Sequence, residues 1–222
     1  MDGSEKQVRS VFTFLANILF WEDHPFTRAR VNGSITSYVT RGSMDHFESL
    51  ISTLLEAEGY WLRRSFKVNV TKEEKRAIGK HSIPRPEIDI LAFNFSKNEV
   101  LAIEVKSFLD SPGLALKHLQ LEYEIPEGGY KLFTSARYRS IVLNRLHLDL
   151  IGCEMANSDT KVKLGLAAGK VYQNRVEPIQ EYVKTNNLFF WSPDDIKKRV
   201  VALADRAYEN DPAILVAKVL LR

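Results

Sequence analysis

Two apolar runs, residues 88–95 and 100–108, are separated only by Ser96-Lys97-Asn98-Glu99. Each is short and rich in β-branched and aromatic side chains, so the pair reads as an antiparallel β-hairpin. A four-residue loop would pair Phe95 with Val100, and a two-residue loop would pair Ser96 with Glu99. Both keep one register, which sets Asp89 opposite Lys106 and Leu91 opposite Glu104. Cross-strand partners share a face, and so do i, i+2 neighbours. Asp89, Glu104 and Lys106 therefore fall on one face, at the end of the hairpin away from its turn. The other face, with Ile88, Ile90 and Ala92 against Leu101, Ile103 and Val105, is wholly apolar and belongs in the core.

Two carboxylates and a lysine about one strand spacing apart, roughly 5 Å, require a physical reason. Neighbouring carboxylates repel and raise each other's pKa. A divalent cation removes that cost, and an all-oxygen set suits Mg²⁺, which leaves its other positions to water and phosphate. A lysine beside the ion can orient a water and stabilise charge on a phosphoryl group. This chemistry is metal-assisted phosphodiester hydrolysis. The same three residues also fit a cross-strand ion-pair network, which would contribute little.

The rest of the chain supplies a setting for the hairpin. Apolar residues at helical spacing predict helices over 6–20 and from Asp45 to the Gly59 stop, with Phe47, Leu50, Ile51, Leu54 and Leu55 as one stripe. Residues 22–44 read as a loop or small hairpin, 60–70 as a strand and 71–87 as a loop. Beyond the hairpin, the pattern predicts a helix over 113–124, a short strand over 130–135, a helix over 137–152 and a strand over 162–171. Ser192-Pro193-Asp194-Asp195 starts a helix, with a capping serine and a proline in the first turn. A last apolar helix follows Asp211-Pro212. At 222 residues, 45% hydrophobic and 27% charged, the chain suits one elaborated globular domain. Its lone Cys153 excludes a disulfide scaffold and suits a reducing, intracellular setting, cytoplasmic or nucleoid-associated. No segment is long and apolar enough to span a bilayer. The absence of a Gly-rich phosphate loop or paired Cys/His spacing argues against ATP hydrolysis and zinc.

Pro86-Glu87-Ile88-Asp89, followed fourteen residues later by Glu104-Val105-Lys106, resembles the PD-(D/E)XK nuclease superfamily, the restriction-endonuclease-like fold. That family places an aspartate on one apolar strand, E-x-K on the next, and a glutamate on an upstream helix, a position Glu48 matches. The departure is the proline, three residues before Asp89 rather than adjacent to it. The resemblance spans about residues 45–135. It implies an α/β (α+β) fold with a restriction-endonuclease-like core, a mixed β-sheet flanked by helices. Residues 1–44 and 136–222 would then be N- and C-terminal elaborations of one compact domain. It further implies a Mg²⁺- or Mn²⁺-dependent endonuclease acting on DNA. Asp89, Glu104 and the Val105 carbonyl would hold the metal, Glu48 a second ion or a water, and Lys106 would position the attacking water that leaves a 5′-phosphate. Glu48 also sits three residues after Asp45, as in a helix capping box.

The net charge of +3 is too small to name a partner, yet it is unevenly spread. Residues 61–85 hold Arg63, Arg64, Lys67, Lys72, Lys75, Arg76, Lys80 and Arg85 against Glu73 and Glu74, a net +6 over 25 residues leading straight to Asp89. Such a segment suits phosphate contact. Arg63, Arg64, Lys67, Lys80 and Arg85 are the candidate nucleic-acid contacts. Arg28, Arg30 and Arg41 could extend them. Gln120 and His118 on the helix after the hairpin are minor substrate candidates. Three alternatives stay open: a nucleic-acid-binding protein without catalysis, an RNA-directed nuclease, and an assembly protein. In the last, apolar helices 8–20 and 212–222 would form a homodimer interface rather than core.

Overall fold

The computed structural model describes residues 46–221. The expected helix over 6–20, the segment 22–44 and its arginines, and Asp45 lie outside the described residues. The first described element is α1 (His46–Ala57), whose Phe47, Leu50, Ile51, Leu54 and Leu55 are buried. Gly59 follows it with a φ of +88°, a conformation open to glycine at no steric cost. Three strands come next: β1 (Trp61–Lys67), β2 (Glu87–Asn94) and β3 (Glu99–Lys106). β4 (Lys161–Ala168) and β5 (Phe189–Trp191) complete a five-stranded mixed sheet in sequential order. β1 to β3 are antiparallel neighbours, while β3, β4 and β5 run parallel. Strands from beyond residue 135 thus belong to the same sheet as the hairpin.

Both faces of the sheet are covered. On one, Ile90, Ala92, Leu101, Ile103 and Val105 pack with α1, with α7 (Pro193–Leu203) and with Ala213, Ile214 and Ala217 of α8 (Pro212–Leu221). The apolar face of the hairpin is therefore core, as its alternation requires, although Ile88 joins the opposite cluster. On the other face, Leu91, Phe93, Val100 and Ala102 pack beneath α5 (Ala136–Gly152) and α6 (Glu177–Thr185). Burial on both sides explains why β3 and β4 read as nearly continuous apolar runs. Among the described residues, no helix is long and apolar enough to cross a membrane.

The hairpin register differs from the expected one by two residues. Ile90 faces Ile103 and Asn94 faces Glu99, so the loop is Phe95 to Asn98. The cause is local turn chemistry. The Asn94 side chain accepts hydrogen bonds from the Lys97 N–H and the Ser96 hydroxyl, at 3.1 and 2.8 Å. Asn98 takes the left-handed conformation that asparagine tolerates (φ 49°, ψ 49°). A two-residue slip preserves facing, so Asp89, Glu104 and Lys106 still share a side.

Three local expectations are corrected. Residues 71–87 are not loop throughout, because Thr71 and Glu74 form a capping box that starts α2 (Lys72–Ala77). The helix expected over 113–124 shrinks to α3 (Leu116–Leu119). Leu114 is committed to backbone bonds with Lys170 and Tyr172 (3.0 and 2.8 Å), so helical bonding cannot begin before it is free of them. Residues 130–135 form not a strand but α4 (Lys131–Thr134). There Arg139 Nη1 donates to the carbonyls of Leu132 and Phe133, stabilising the turn despite its aromatic and β-branched residues. Finally, α6 and β5 were not anticipated, since their apolar signal is short.

Candidate active site

The site forms where the hairpin ladder ends. The regular β2–β3 register stops at Ile90 and Ile103. Beyond it, the Val105 N–H donates not to a strand carbonyl but to Asp89 Oδ2, at 2.7 Å. The carboxylate thus ties the two strands together at their open end. Ser65 in β1, the residue next to this end, has a φ of +50°, an uncommon conformation for serine.

Lys106 Nζ lies 3.1 Å from Glu104 Oε2 and 3.9 Å from Asp89 Oδ2. All three side chains are mostly removed from water, with 15 to 29% of their surface exposed. Burial pushes the Glu104 carboxyl above its ordinary pKa, and the Asp89 charge adds to this, while Lys106 and Lys131 oppose it. Burial acts on Lys106 in the opposite sense, favouring loss of its proton. Glu104, Asp89 and, further out, Glu48 outweigh that, so the ammonium is held above its ordinary value. Glu48, in the first turn of α1, is therefore within electrostatic reach of the cluster.

Glu104 also lines a cavity of about 320 Å³. One wall is the segment bearing Lys80, Arg85 and Glu87. The other carries Gly128, Gly129, Tyr130 and Lys131, with Tyr138 of α5 between them. Lys80 braces the two walls by donating to the Pro126 carbonyl at 2.7 Å. Burial pushes the phenols of Tyr130 and Tyr138 up to about 12, so both stay protonated at neutral pH.

The structure brings Asp89, Glu104 and Lys106 together, with Glu48 nearby and Lys80 and Arg85 on the cavity wall. Lys67 pairs with Glu87 at 3.7 Å on the same side. Arg63 and Arg64 lie exposed on β1, opposite Leu91 and Ile90 of β2. Gln120 caps α3 and lines a different cavity, of about 690 Å³, with Tyr123 and Arg139. His118 stacks on Tyr130, ring centroids 6.0 Å apart. Tyr130, Lys131 and Tyr138 were not singled out from the sequence. Their only local signal is an aromatic–lysine step after Gly128-Gly129, and the cavity wall forms only when α4 packs.

Among the described residues, no group of three or more His, Cys, Asp or Glu side chains is placed to hold a metal ion. The donor set here is smaller: two carboxylates on neighbouring strands, with the Val105 backbone beside Asp89. It fits Mg²⁺, which commonly takes one or two protein carboxylates and completes its shell with water and phosphate oxygens. Comparison of the chain with protein-family profiles, with curated proteins and with solved structures gave no match.

Proposed function

We propose that the protein is a metal-dependent endonuclease of the PD-(D/E)XK type, hydrolysing phosphodiester bonds in DNA. The observation that carries this reading is the meeting of Asp89, Glu104 and Lys106 within 3.9 Å at the open end of an otherwise apolar hairpin. The order of the larger elements supports it: α1, the antiparallel strands β1 to β3, α5, and β4 parallel to β3, with the short helices α2, α3 and α4 inserted between them. That order is reached with α5 and β4, so the supporting span runs to residue 168 rather than 135. Asp89, Glu104, the Val105 carbonyl and Glu48 are the groups that would hold Mg²⁺ or Mn²⁺. When bound, such an ion stabilises negative charge on the phosphate and lowers the pKa of water. Lys106, kept protonated by its neighbours, donates hydrogen bonds that orient a water and stabilise charge on the phosphate oxygens. Lys80 and Arg85 attract the backbone of the substrate strand.

Asp89→Ala and Lys106→Ala are expected to abolish the Mg²⁺-dependent cleavage that the wild type shows on a panel of duplex, tailed and single-stranded DNA, while circular dichroism shows a retained fold. Full activity in either variant would sink the assignment. A second reading, a nucleic-acid-binding protein without catalysis, is favoured by one feature: Lys106 already serves as counter-ion to both carboxylates. A wild-type protein that shifts DNA in a gel but never nicks it with Mg²⁺ or Mn²⁺ supports that reading. RNA in the same panel tests whether the sugar matters.

A further inference from the structure

The cavity beside Glu104 has a chemistry of its own. Its acidic edge belongs to the proposed catalytic cluster, while Lys80, Arg85 and Lys131 make the rest of its charged lining predominantly positive. Lys131 is exposed, and its charge is felt by Glu104. Three aromatic side chains, Tyr130, Phe133 and Tyr138, also line the cavity, and the Tyr130 ring is held on several sides. Tyr130 stacks against His118 at 6.0 Å and meets Phe133 edge-on at 6.5 Å. Phe108 lies against it as well, at 6.5 Å. Tyr130 lines the cavity, and a ring immobilised in this way offers the part it leaves open to a nucleic-acid base at little entropic cost.

Size then limits what can enter. At about 320 Å³, the cavity has room for about ten waters at ~30 Å³ each. A duplex cannot enter such a space, since its major groove alone is about 12 Å wide. A single nucleotide can.

We propose that this cavity receives one unpaired nucleotide of the substrate strand, its base against Tyr130 and its phosphate among Lys131, Arg85 and Lys80. The inference rests on the nuclease reading for the scissile bond and deepens it. The protein acts at single-stranded tails or splayed positions in DNA, not within continuous duplex. The nucleotide in the cavity sets an adjoining phosphate at the Glu104 end, where Lys106 lies.

Binding tests this separately from cleavage. Fluorescence anisotropy with Ca²⁺ in place of Mg²⁺ compares a blunt duplex, the same duplex with a single-stranded tail, and the tail alone. Tailed and single-stranded DNA are expected to bind at least tenfold tighter than blunt duplex, and deoxyadenosine monophosphate is expected to compete. Lys131→Gln, at an exposed position, is expected to remove most of that preference and to weaken the mononucleotide. Tyr130→Leu should weaken single-stranded DNA more than blunt duplex. Equal binding of blunt and tailed DNA, or a preference unchanged in Lys131→Gln, overturns the inference. If the expected binding appears but no DNA form is cut with Mg²⁺ or Mn²⁺, the catalytic reading fails and the nucleotide site stands. If blunt duplex is cut as fast as tailed DNA, the catalytic reading stands and the nucleotide site falls.

Discussion

The link between Glu74 and Arg145 gives a quantitative test of how the basic segment is held. Arg145 Nε lies 3.0 and 3.1 Å from the two carboxylate oxygens, and Nη2 lies 2.7 Å from Oε1. This forked contact fastens α2, and with it the chain leading to Lys80 and Arg85, against α5. Burial alone would push Glu74 up. Arg145, together with the Thr71 backbone amide and hydroxyl, outweighs it and holds the carboxyl below its ordinary value of 4.5. At 2.7 Å, the gross attraction at an effective dielectric of 20 is about 6 kcal/mol. Both side chains keep about a quarter of their surface in water, so screening and lost side-chain entropy reduce the net coupling to about 1 kcal/mol. The perturbation is a double-mutant cycle of Glu74→Gln and Arg145→Met, which keeps the aliphatic stem of the arginine. The assay is urea unfolding: at a slope of about 2 kcal/mol/M, the coupling moves the midpoint by about 0.5 M. A carboxyl depressed in the folded state contributes stability above its unfolded pKa and loses it as pH falls through its folded pKa. The coupling should therefore be full at pH 7, decline below about pH 4.5, and be absent at pH 2. A coupling below 0.3 kcal/mol at pH 7, or one undiminished at pH 2, would refute the reasoning.

Three further outcomes are expected. Lys106→Met strands two mostly buried carboxylates without the cation that lies 3.1 Å from Glu104 and 3.9 Å from Asp89, and should cost about 2–4 kcal/mol at pH 8. Added Mg²⁺ should then raise the melting temperature of this variant more than that of the wild type, and an equal rise in both counts against a cation site at these carboxylates. Gly169→Ala would place a Cβ 2.4 Å from the Ser107 carbonyl oxygen and 3.0 Å from the Phe47 ring, beside the end of β3 that carries Lys106. It should cost about 1–3 kcal/mol in denaturant unfolding, and a neutral result would mean that the strand ends move apart freely. Ser192→Ala removes the hydroxyl that accepts from the Asp195 N–H and half of the reciprocal cap. A loss of about 0.5–2 kcal/mol is expected by thermal melting, with α7 responsible.

Some of this was legible without coordinates, and the reason is periodicity. Two apolar runs with a short polar break can scarcely be anything but paired strands, and alternation puts Asp89, Glu104 and Lys106 on one side. That conclusion survives a register wrong by two, because slipping by an even number of residues leaves every side chain on its own face. The apolar stripe of α1 and the starts of α7 and α8 were similarly local, set by side chains and capping residues within a few turns. The basic excess in 61–85 was legible as composition, but not which of its cations lie beside the acids.

The register itself depended on how the Asn94 side chain satisfies the turn. Tyr130 to Ser135 has the composition of a strand and becomes a helical turn because Arg139, from the next helix, takes its carbonyls. Leu114 is withheld from a helix by a strand-like exchange with Lys170 and Tyr172. The cavity next to Glu104 joins segments 80–87 and 126–133 with Tyr138, a grouping that no spacing rule connects. The chain by itself determined which groups share a face, since that follows from backbone geometry over a few residues. Tertiary structure alone decided what stands opposite them, because contacts between distant segments are settled by packing and by the demand that every buried polar group find a partner.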